Sequence, residues 1–388
     1  MRILFFSPYF YPYLSGITTY PLTLFTATPL GKEHDITVLT FPHKGDLPET
    51  EKIKDISIIR LPYLFKISKG FISPQSLIYF LKEVQKNDVV ILNIPNFEGV
   101  FLAIIAKLFG KKILSIFHCT VTLPPGILNR FINIFLNIAV YTQLFLSDII
   151  VGYTDDYVQN TLVGKVFKNK IKTQFPPVQK LANSPELIAY SQKPSAISHK
   201  PLAIGYSGRI AREKGLEYLI EAIVQLKNKH YAKHTIQLLF AGPYGKDVAG
   251  EERYYDEIKD LLEKNKIDHK FLGKLSGKEF AQFYQSLDVL VLPSVNRTEA
   301  FGMVQVDAML LGTPVIASNL PGVRIPVQTT KMGRIVEPKN STQIAQAMNE
   351  IIEHRTQYTS PQLIAHAQEV FDINKVYKFY KKLLDYEK

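Results

Sequence analysis

The fold is decided by the stretch Pro293-Ser294-Val295-Asn296-Arg297-Thr298-Glu299-Ala300-Phe301-Gly302-Met303-Val304-Gln305-Val306-Asp307-Ala308-Met309-Leu310-Leu311-Gly312-Thr313-Pro314-Val315. It follows an apolar run, residues 288–292, that is typical of a buried parallel strand. A helical pattern begins after Gly302 and ends at Gly312, and a second strand is predicted over residues 313–317. Strand, loop, helix and strand in this order form a βαβ unit, and its functional edge is the carboxyl end of the first strand.

Two carboxylates stand near the predicted start of this helix. Backbone N–H groups from Ala300 to Met303 have no partner inside the helix and form an anion site. Glu299 lies at that site, and Asp307 follows eight positions later, about 80° past two full helical turns. The two acids therefore suit separate roles better than a paired acid and base. For Glu299 alone, a helix start that simply favours acidic residues is the alternative.

The spacing of these acids resembles a known signature. Glu299, seven residues and Asp307, framed by Pro-Ser, Glu-Ala-Phe-Gly-Met-Val and Gly-Thr-Pro-Val, resemble the C-terminal signature of retaining GT-B glycosyltransferases of the group 1, or family 4, type. That signature has Glu at both positions, so Asp307 is one methylene shorter. The resemblance implies an α/β fold in which two Rossmann-like parallel-sheet domains face each other across a cleft. It also implies transfer of a sugar from a nucleotide donor to a hydroxyl acceptor with retained configuration.

Length and composition agree with two domains. The chain has 388 residues, of which 46% are hydrophobic and 21% charged, so it is globular and too long for one average core. One cysteine excludes an internal disulfide framework and favours a cytoplasmic location, and the N-terminus lacks the pattern of a signal peptide. We expect an acceptor-binding domain over residues 1–182, a Ser- and Pro-rich linker over 183–200 and a nucleotide-sugar domain over 201–370. By the resemblance, residues 371–388 form a helix that crosses back to the first domain.

The second domain opens with a phosphate-binding pattern. An apolar strand is followed by Gly208 and Arg209, and Lys214 and Gly215 stand at the start of the next helix. Two cations at a helix start suit a diphosphate, whereas isolated cations are usually surface charge. The pattern also matches the diphosphate-binding residues of the family. The resemblance adds a backbone contact of Leu275 with the nucleotide base.

The first domain offers two candidates. Gly16 precedes a predicted helix and is either a turn residue or, by the resemblance, a neighbour of the donor phosphates. His118 ends the strand predicted over residues 112–117. A histidine there is often structural, but the family commonly has one facing the transferred sugar, and we expect sugar contact rather than general-base work.

The resemblance assigns the remaining donor contacts. Glu299 would hold sugar hydroxyls, Asp307 would accept from the ribose hydroxyls, and backbone groups of Ala300, Phe301, Gly302 and Met303 would face the leaving group. Together with Arg209 and Lys214, they would stabilise the departing nucleoside diphosphate. The donor, linked to UDP or GDP, is a substrate, and no prosthetic group is expected. Because the sequence lacks an Asp-x-Asp motif and histidines at metal-ligand spacing, a metal-independent enzyme is predicted.

The chain carries a net charge of +11, with no acidic residue between Glu98 and Asp148. Residues 126–147 form an apolar helical pattern in which Asn129, Asn133 and Asn137 make one polar stripe. This helix is either buried or interdomain, or it lies at a membrane interface or lipid-acceptor groove. A glycan or lipid-linked acceptor and an anionic membrane at the inner face of the cell membrane are the expected partners, against the alternative of a generally basic protein. Nucleic acid is not expected, since no binding motif is present.

Two other functions stay open. A degenerate transferase would serve as a scaffold or binding protein, although Arg209, Lys214 and Glu299 are intact. A sugar-nucleotide epimerase of the same fold would convert the donor without an acceptor. A nicotinamide dehydrogenase is poorly supported, because no Gly-x-Gly-x-x-Gly follows a strand.

Overall fold

The computed structural model describes residues 1–13, 15–67, 69–121, 126–178, 201–229, 235–248 and 251–385. The chain divides into two compact units. Unit 1 comprises Met1–Gln179 together with Asp372–Lys388, and unit 2 comprises Lys180–Phe371. The linker predicted over residues 183–200 lies outside the described residues.

Unit 1 is built on an eight-stranded sheet in the order β10-β9-β8-β7-β1-β2-β4-β3. Its strands are β1 Arg2–Phe6, β2 Asp35–Thr40, β3 Thr50–Ile53, β4 Ile56–Arg60, β7 Val89–Ile94, β8 Lys112–Phe117, β9 Ile149–Gly152 and β10 Ile171–Thr173. All neighbours are parallel except β3 and β4, which pair antiparallel at one edge. A separate hairpin joins β5 Phe65–Ile67 and β6 Gly70–Ile72.

The helices of unit 1 follow the strands at α/β spacing. They are α1 Gly16–Thr26, α2 Leu30–Glu33, α3 Ser76–Lys86, α4 Gly99–Leu108, α5 Ile127–Leu146, α6 Asp155–Gln159, α7 Leu162–Phe167 and the C-terminal α16 Ile373–Asp385. Strand β7 is buried at every position, as expected of a central parallel strand covered on both faces. The strand order reverses between β1 and β7, so the loops after these two strands border the crevice of this unit.

Unit 2 contains a six-stranded, wholly parallel sheet in the order β13-β12-β11-β14-β15-β16. Its strands are β11 Leu202–Ser207, β12 Ile236–Ala241, β13 Asp268–Gly273, β14 Val289–Leu292, β15 Val315–Ser318 and β16 Gly333–Val336. Its helices are α8 Leu216–Lys229, α9 Glu252–Lys264, α10 Gly277–Ser286, α11 Met303–Leu310, α12 Ile325–Thr330, α13 Ser341–Glu353, α14 Arg355–Tyr358 and α15 Pro361–Val370. The strand order reverses between β11 and β14, so the phosphate-binding pattern and the opening stretch of the sequence follow adjacent strands.

The C-terminal helix packs on unit 1. The hydroxyl groups of Tyr380 on α16 and Tyr20 on α1 are 2.7 Å apart and buried. Lys112 Nζ on β8 donates to the carbonyl of Leu383 at 2.6 Å, and the Tyr377 hydroxyl donates to Glu33. In the described part of the chain, no helix has the length and apolar character needed to cross a bilayer.

Candidate active site

The loops after β11 and β14 are packed tightly against each other. The N–H of Val295, after β14, donates to the carbonyl of Glu213, after β11, at 2.9 Å. Gly215 adopts a left-handed φ of 63°, and a Cβ there would lie 2.7 Å from the carbonyl oxygen of Pro293. Only glycine fits this approach, so Gly215 fixes the turn carrying Lys214 beside the loop carrying Glu299.

Gly208 and Arg209 are delivered by β11. Gly208 has a φ of 141°, and its carbonyl oxygen would be 2.1 Å from a Cβ at Gly242, the residue after β12. The buried Tyr206 hydroxyl donates to the carbonyl of Arg209 at 2.8 Å. The backbone of this loop is therefore held from both sides, and the Arg209 side chain starts from a fixed position.

Two ion pairs bring the predicted charged residues together. Lys214 donates to Glu299, and the two side chains are only 15% and 16% exposed. Arg209 donates to Glu213, four positions later. Each cation therefore has a carboxylate partner. A diphosphate entering here would exchange those partners for its own oxygens, which form charge-assisted hydrogen bonds of the same kind.

The start of α11 provides backbone donors. Gly302 is the N-cap residue with φ 75°, and a Cβ there would lie 2.5 Å from Leu292 Cδ2. Within the described residues, no acceptor is found for the N–H groups of Ala300, Gly302 and Met303. Ala300 and its neighbour Phe301 are themselves buried. The N–H groups thus lie on the loop segment after β14 that also carries Glu299, the partner of Lys214, an arrangement suited to an anion.

Asp307 lies on α11, whereas Glu299 precedes the helix, so the two acids have different surroundings. Nothing in the described part of the chain donates a hydrogen bond to the Asp307 carboxyl, and burial raises its pKa to about 7. Burial, and after it the charge of Asp307, raises the pKa of Tyr284, whose hydroxyl donates to Ser207 Oγ at 3.1 Å. A half-buried carboxyl without a protein partner is suited to accept from ligand hydroxyl groups.

Leu275 lies at the same edge of the sheet, but farther along it. It is half-buried between the end of β13 and α10. The carbonyl of Gly273, two residues earlier, accepts from the N–H of Gly242 at 2.8 Å. The turn is thereby connected to the loop that contacts Gly208, while the base contact of Leu275 remains a prediction.

In unit 1, Gly16 is the exposed first residue of α1, and Ser15 is the N-cap residue. The Ser15 N–H donates to Thr18 Oγ1 at 2.9 Å, which completes a capping box. Gly16 follows β1 and therefore borders the crevice of unit 1.

His118 is enclosed by a polar network after β8. Its side chain is 2% exposed. Asn93 uses its amide nitrogen to donate to Ser7 and to the carbonyl of Ile17, so its oxygen faces His118 Nε2 and accepts from it. His118 Nδ1 then accepts from the Tyr153 hydroxyl. Burial lowers the pKa of His118 to about 3, so the ring is neutral. Both ring nitrogens thus have protein partners, and contact with a sugar would require one of them to be released.

Three residues that the sequence analysis did not single out support the site. Glu213 pairs with Arg209, Tyr206 holds the Arg209 carbonyl, and Gln305 donates to the carbonyls of Phe301 and Val323. Of these three residues, Glu213 could have been found from the sequence, because it follows Arg209 by four positions, a spacing typical of ion pairs. Among the described residues, no group of three or more His, Cys, Asp or Glu side chains could hold a metal ion.

Sequence comparisons show what the part of the chain that carries this site is similar to. Residues 189–369 match the family described as glycosyl transferases group 1. An uncharacterised glycosyltransferase of Methanocaldococcus jannaschii is 36% identical over 149 residues, 38% of this chain and 35% of that protein. A D-inositol 3-phosphate glycosyltransferase of Corynebacterium kroppenstedtii is 28% identical over 183 residues, 47% of this chain and 38% of that protein. The matches thus span little more than a third of these relatives.

Structural comparison extends over the whole chain. The crystal structure of Anabaena HepE in complex with UDP matches with a TM-score of 0.75 at 19% identity, covering 99% of each chain. This likeness confirms the predicted fold class, a GT-B architecture with a parallel sheet in each of two domains. The family match over residues 189–369 agrees with the predicted glycosyltransferase resemblance.

Proposed function

We propose that this chain, whose C-terminal unit belongs to the group 1 glycosyl transferases, transfers a hexose from a nucleotide sugar to a hydroxyl acceptor with retained configuration. The proposal depends most on one observation. Lys214 and Glu299, 85 positions apart in the sequence, form a largely buried ion pair where adjacent parallel strands end. A cation for a phosphate and a carboxylate for a sugar hydroxyl therefore stand side by side.

The donor pyrophosphate would bind to Arg209, Lys214 and the backbone N–H groups at the start of α11. Both cations have carboxylate partners in the structure, so binding exchanges one set of charged partners for another and adds backbone donors. The same groups stabilise the diphosphate as it gains negative charge during departure of the sugar. Because they are already in place, little reorganisation accompanies the reaction.

Glu299 and Asp307 would bind different parts of the donor. Glu299, released from Lys214 by the phosphate, accepts from sugar hydroxyls and orients the ring for attack from the leaving-group side. Asp307 accepts from the ribose hydroxyls, for which its half-buried carboxyl has free oxygens. UDP is the nucleotide we favour over GDP, since HepE of the same fold binds UDP.

The acceptor would bind in unit 1 and carry a glycan, either free or attached to a lipid at the inner face of the cell membrane. The carboxyl ends of β1 and β7 border this region, with Gly16 at its edge. His118 would reach the sugar only after a change in its contacts with Asn93 or Tyr153. We therefore assign His118 a secondary part in the reaction.

Thermal unfolding with nucleotides and nucleotide sugars tests the donor site. UDP and one UDP-sugar should raise the midpoint by several degrees, in proportion to the logarithm of ligand concentration. The same screen with EDTA present should give the same shifts if no metal is needed. Arg209→Ala and Lys214→Ala should each reduce the shift, whereas Lys246→Ala, a lysine after β12 outside the two pairs, should not.

Product analysis then separates the proposed reaction from its alternatives. Incubation of the stabilising donor with glycan and lipid-linked acceptors should release UDP and form a glycoside of unchanged anomeric configuration. Conversion of the donor to an epimer without acceptor would indicate the epimerase instead. Donor binding without turnover across the acceptor panel would indicate a binding protein.

A further inference from the structure

Apolar side chains of unit 1 that face solvent concentrate on three neighbouring helices. Helix α4 packs against α5, and the rings of Tyr141 on α5 and Phe167 on α7 lie 5.9 Å apart. The exposed apolar residues of these helices are Phe101, Ile104 and Leu108 on α4, Ile127, Phe131, Ile134, Phe135, Ile138 and Phe145 on α5, and Leu162 and Val166 on α7. We call this set the apolar face.

Helix α5 is amphipathic, but the side that it exposes to solvent is its apolar side. At about 100° per residue, its six exposed apolar side chains fall within an arc of about 100°. They are 47% to 81% exposed. Asn129 and Asn133, both half-buried, lie roughly on the opposite side of the helix, together with the buried Val140 and Leu144, whereas Asn137 is exposed about 60° beyond the arc. A helix exposed to water presents its polar side to solvent, so this orientation suits an apolar environment.

The N-terminal half of α5 lies on the surface of unit 1. No described side chain from Ile127 to Ile138 is buried, whereas the following turns contain the buried Ala139, Val140 and Leu144. The core therefore holds one end of α5 and leaves three turns at the surface. Such a half-helix can enter the boundary between headgroups and acyl chains without unfolding anything.

The charged residues on the three helices themselves, Lys107, Arg130 and Lys165, are all basic, and Lys107 pairs with Asp148 after α5. Arg130 is exposed about 40° beyond the apolar arc of α5, and Lys165 and Lys168 are exposed on and after α7. No acidic residue occurs between Glu98 and Asp148 or between Asp156 and Val178. Long basic side chains beside an apolar face can reach anionic headgroups while their stems stay in the apolar layer.

We propose that the apolar face of α4, α5 and α7 docks unit 1 on an anionic lipid bilayer, with Arg130, Lys165 and Lys168 on the headgroups. A bilayer fits better than a second copy of the chain, since two copies would bring the same cations together. This docking rests on the proposed function in one respect: it would bring unit 1 to a lipid-linked acceptor. It names the surface by which that contact is made.

Vesicle sedimentation with the full chain tests this surface. The protein should bind vesicles that contain phosphatidylglycerol, bind pure phosphatidylcholine at least about tenfold more weakly, and lose affinity as salt rises to about 1 M. Phe131→Glu with Phe135→Glu should weaken binding to phosphatidylglycerol vesicles by about tenfold or more. Leu64→Glu with Phe65→Glu is the matched control, since these apolar residues are similarly exposed but lie at β5, outside the three helices.

The cations are tested in the same way. Arg130→Glu with Lys168→Glu should weaken binding about tenfold or more, whereas Lys259→Glu with Lys278→Glu in unit 2 should change it less than about twofold. The increase in the thermal unfolding midpoint on addition of UDP is measured for every variant. If UDP still stabilises a variant that no longer binds vesicles, the loss concerns docking and leaves the donor site untouched.

Three results would overturn the proposal. The wild-type protein could fail to bind phosphatidylglycerol vesicles, or the control pairs could lose as much binding as the test pairs. The third result is that the wild-type protein is a dimer, that Phe131→Glu with Phe135→Glu dissociates it, and that the monomer does not bind vesicles. This result would assign the apolar face to contact between copies of the chain. Failure of UDP to bind would contradict the proposed function and leave these vesicle results unaffected.

Discussion

The Lys214–Glu299 ion pair joins the two motifs on which the candidate site depends. Each partner is mostly removed from water, so removing one would leave the other charged and poorly solvated. When the donor binds, Lys214 can pair with a phosphate instead of Glu299. Glu299 can then accept from a sugar hydroxyl instead of Lys214. The donor would therefore compensate both partners at once, which favours binding of the intact nucleotide sugar over either half.

Glu299→Ala tests the carboxylate. We expect transfer to fall by at least about 100-fold, because the sugar loses its hydrogen-bond acceptor in the transition state. UDP should still stabilise the variant, because Arg209 and Lys214 are retained. Steady-state donor turnover and thermal shift measure the two effects. Glu252→Ala, an exposed carboxylate on α9, is the control, and full activity of purified Glu299→Ala would remove this assignment.

Asp307→Asn tests the half-buried carboxyl through pH. An unfolded Asp ionises near pH 4, whereas burial raises the pKa of Asp307 in the folded protein to about 7. Between these values the unfolded chain binds fewer protons than the folded one, so the free energy of unfolding falls as pH rises through this window. Asp307→Asn should therefore be more stable than the wild type by about 1–3 kcal/mol at pH 8 and equal to it near pH 4.

The same substitution should weaken UDP binding by about tenfold or more, because an amide accepts a ribose hydroxyl bond less strongly than a carboxylate. Denaturant unfolding and isothermal titration at pH 8 measure the two effects. Asp307→Glu, which restores the residue common in the family, should keep nucleotide binding. A variant that is neither more stable at pH 8 nor weaker in binding would exclude the role given to Asp307.

At the residue scale, the sequence indicated candidate residues but not their partners. Spacing together with the family resemblance indicated Arg209, Lys214, Glu299 and Asp307, because a strand end and a helix start constrain them locally. Nothing local indicated that Lys214 would pair with Glu299, since this depends on β11 and β14 becoming neighbours. The enclosure of His118 likewise depends on Asn93 and Tyr153, which come from two other strand ends.

At the element scale, the start of α11 requires a glycine. Gly302→Ala must place a Cβ at a φ of 75° and 2.5 Å from Leu292 Cδ2. Gly110→Ala has a similar φ of 64° but meets nothing within 4 Å, so it isolates the cost of the backbone conformation. We expect about 1 kcal/mol for Gly110→Ala and about 2–4 kcal/mol for Gly302→Ala, with weakened UDP binding only in the latter. If denaturant unfolding gives the two variants the same loss in free energy of unfolding, the contact with Leu292 adds no cost.

Periodic elements were predicted well, and short edge elements were not. The helix predicted between Gly302 and Gly312 matches α11 Met303–Leu310, and the strand over 112–117 matches β8 Lys112–Phe117. By contrast, β3 and the β5–β6 hairpin carry no strong alternation and were not predicted. Their pairing is set by neighbours in space, namely β4 for β3 and the partner strand within the hairpin. The C-terminal helix expected over residues 371–388 corresponds to α16 Ile373–Asp385.

At the scale of the whole molecule, the chain returns to unit 1 after completing unit 2. The sequence shows an amphipathic helix near its end, but the surface that it covers depends on the tertiary structure. That surface includes the buried Tyr20, whose ring stacks on Tyr153 at 5.5 Å, and Tyr153 in turn contacts His118. The last helix thus supports the same network that encloses His118.

Tyr380→Phe tests that support. Removing the hydroxyl of Tyr380 leaves the buried Tyr20 hydroxyl without its partner, which should cost about 1–3 kcal/mol in the unfolding of unit 1. Tyr20→Phe with Tyr380→Phe removes both hydroxyls and should cost less than the sum of the two single changes. Tyr377→Phe, at a half-buried tyrosine on the same helix whose hydroxyl donates to Glu33 at the surface, should cost less than about 1 kcal/mol. Hydrogen exchange, followed separately for peptides of each unit, should show the loss in unit 1, and an additive double variant would contradict the coupling.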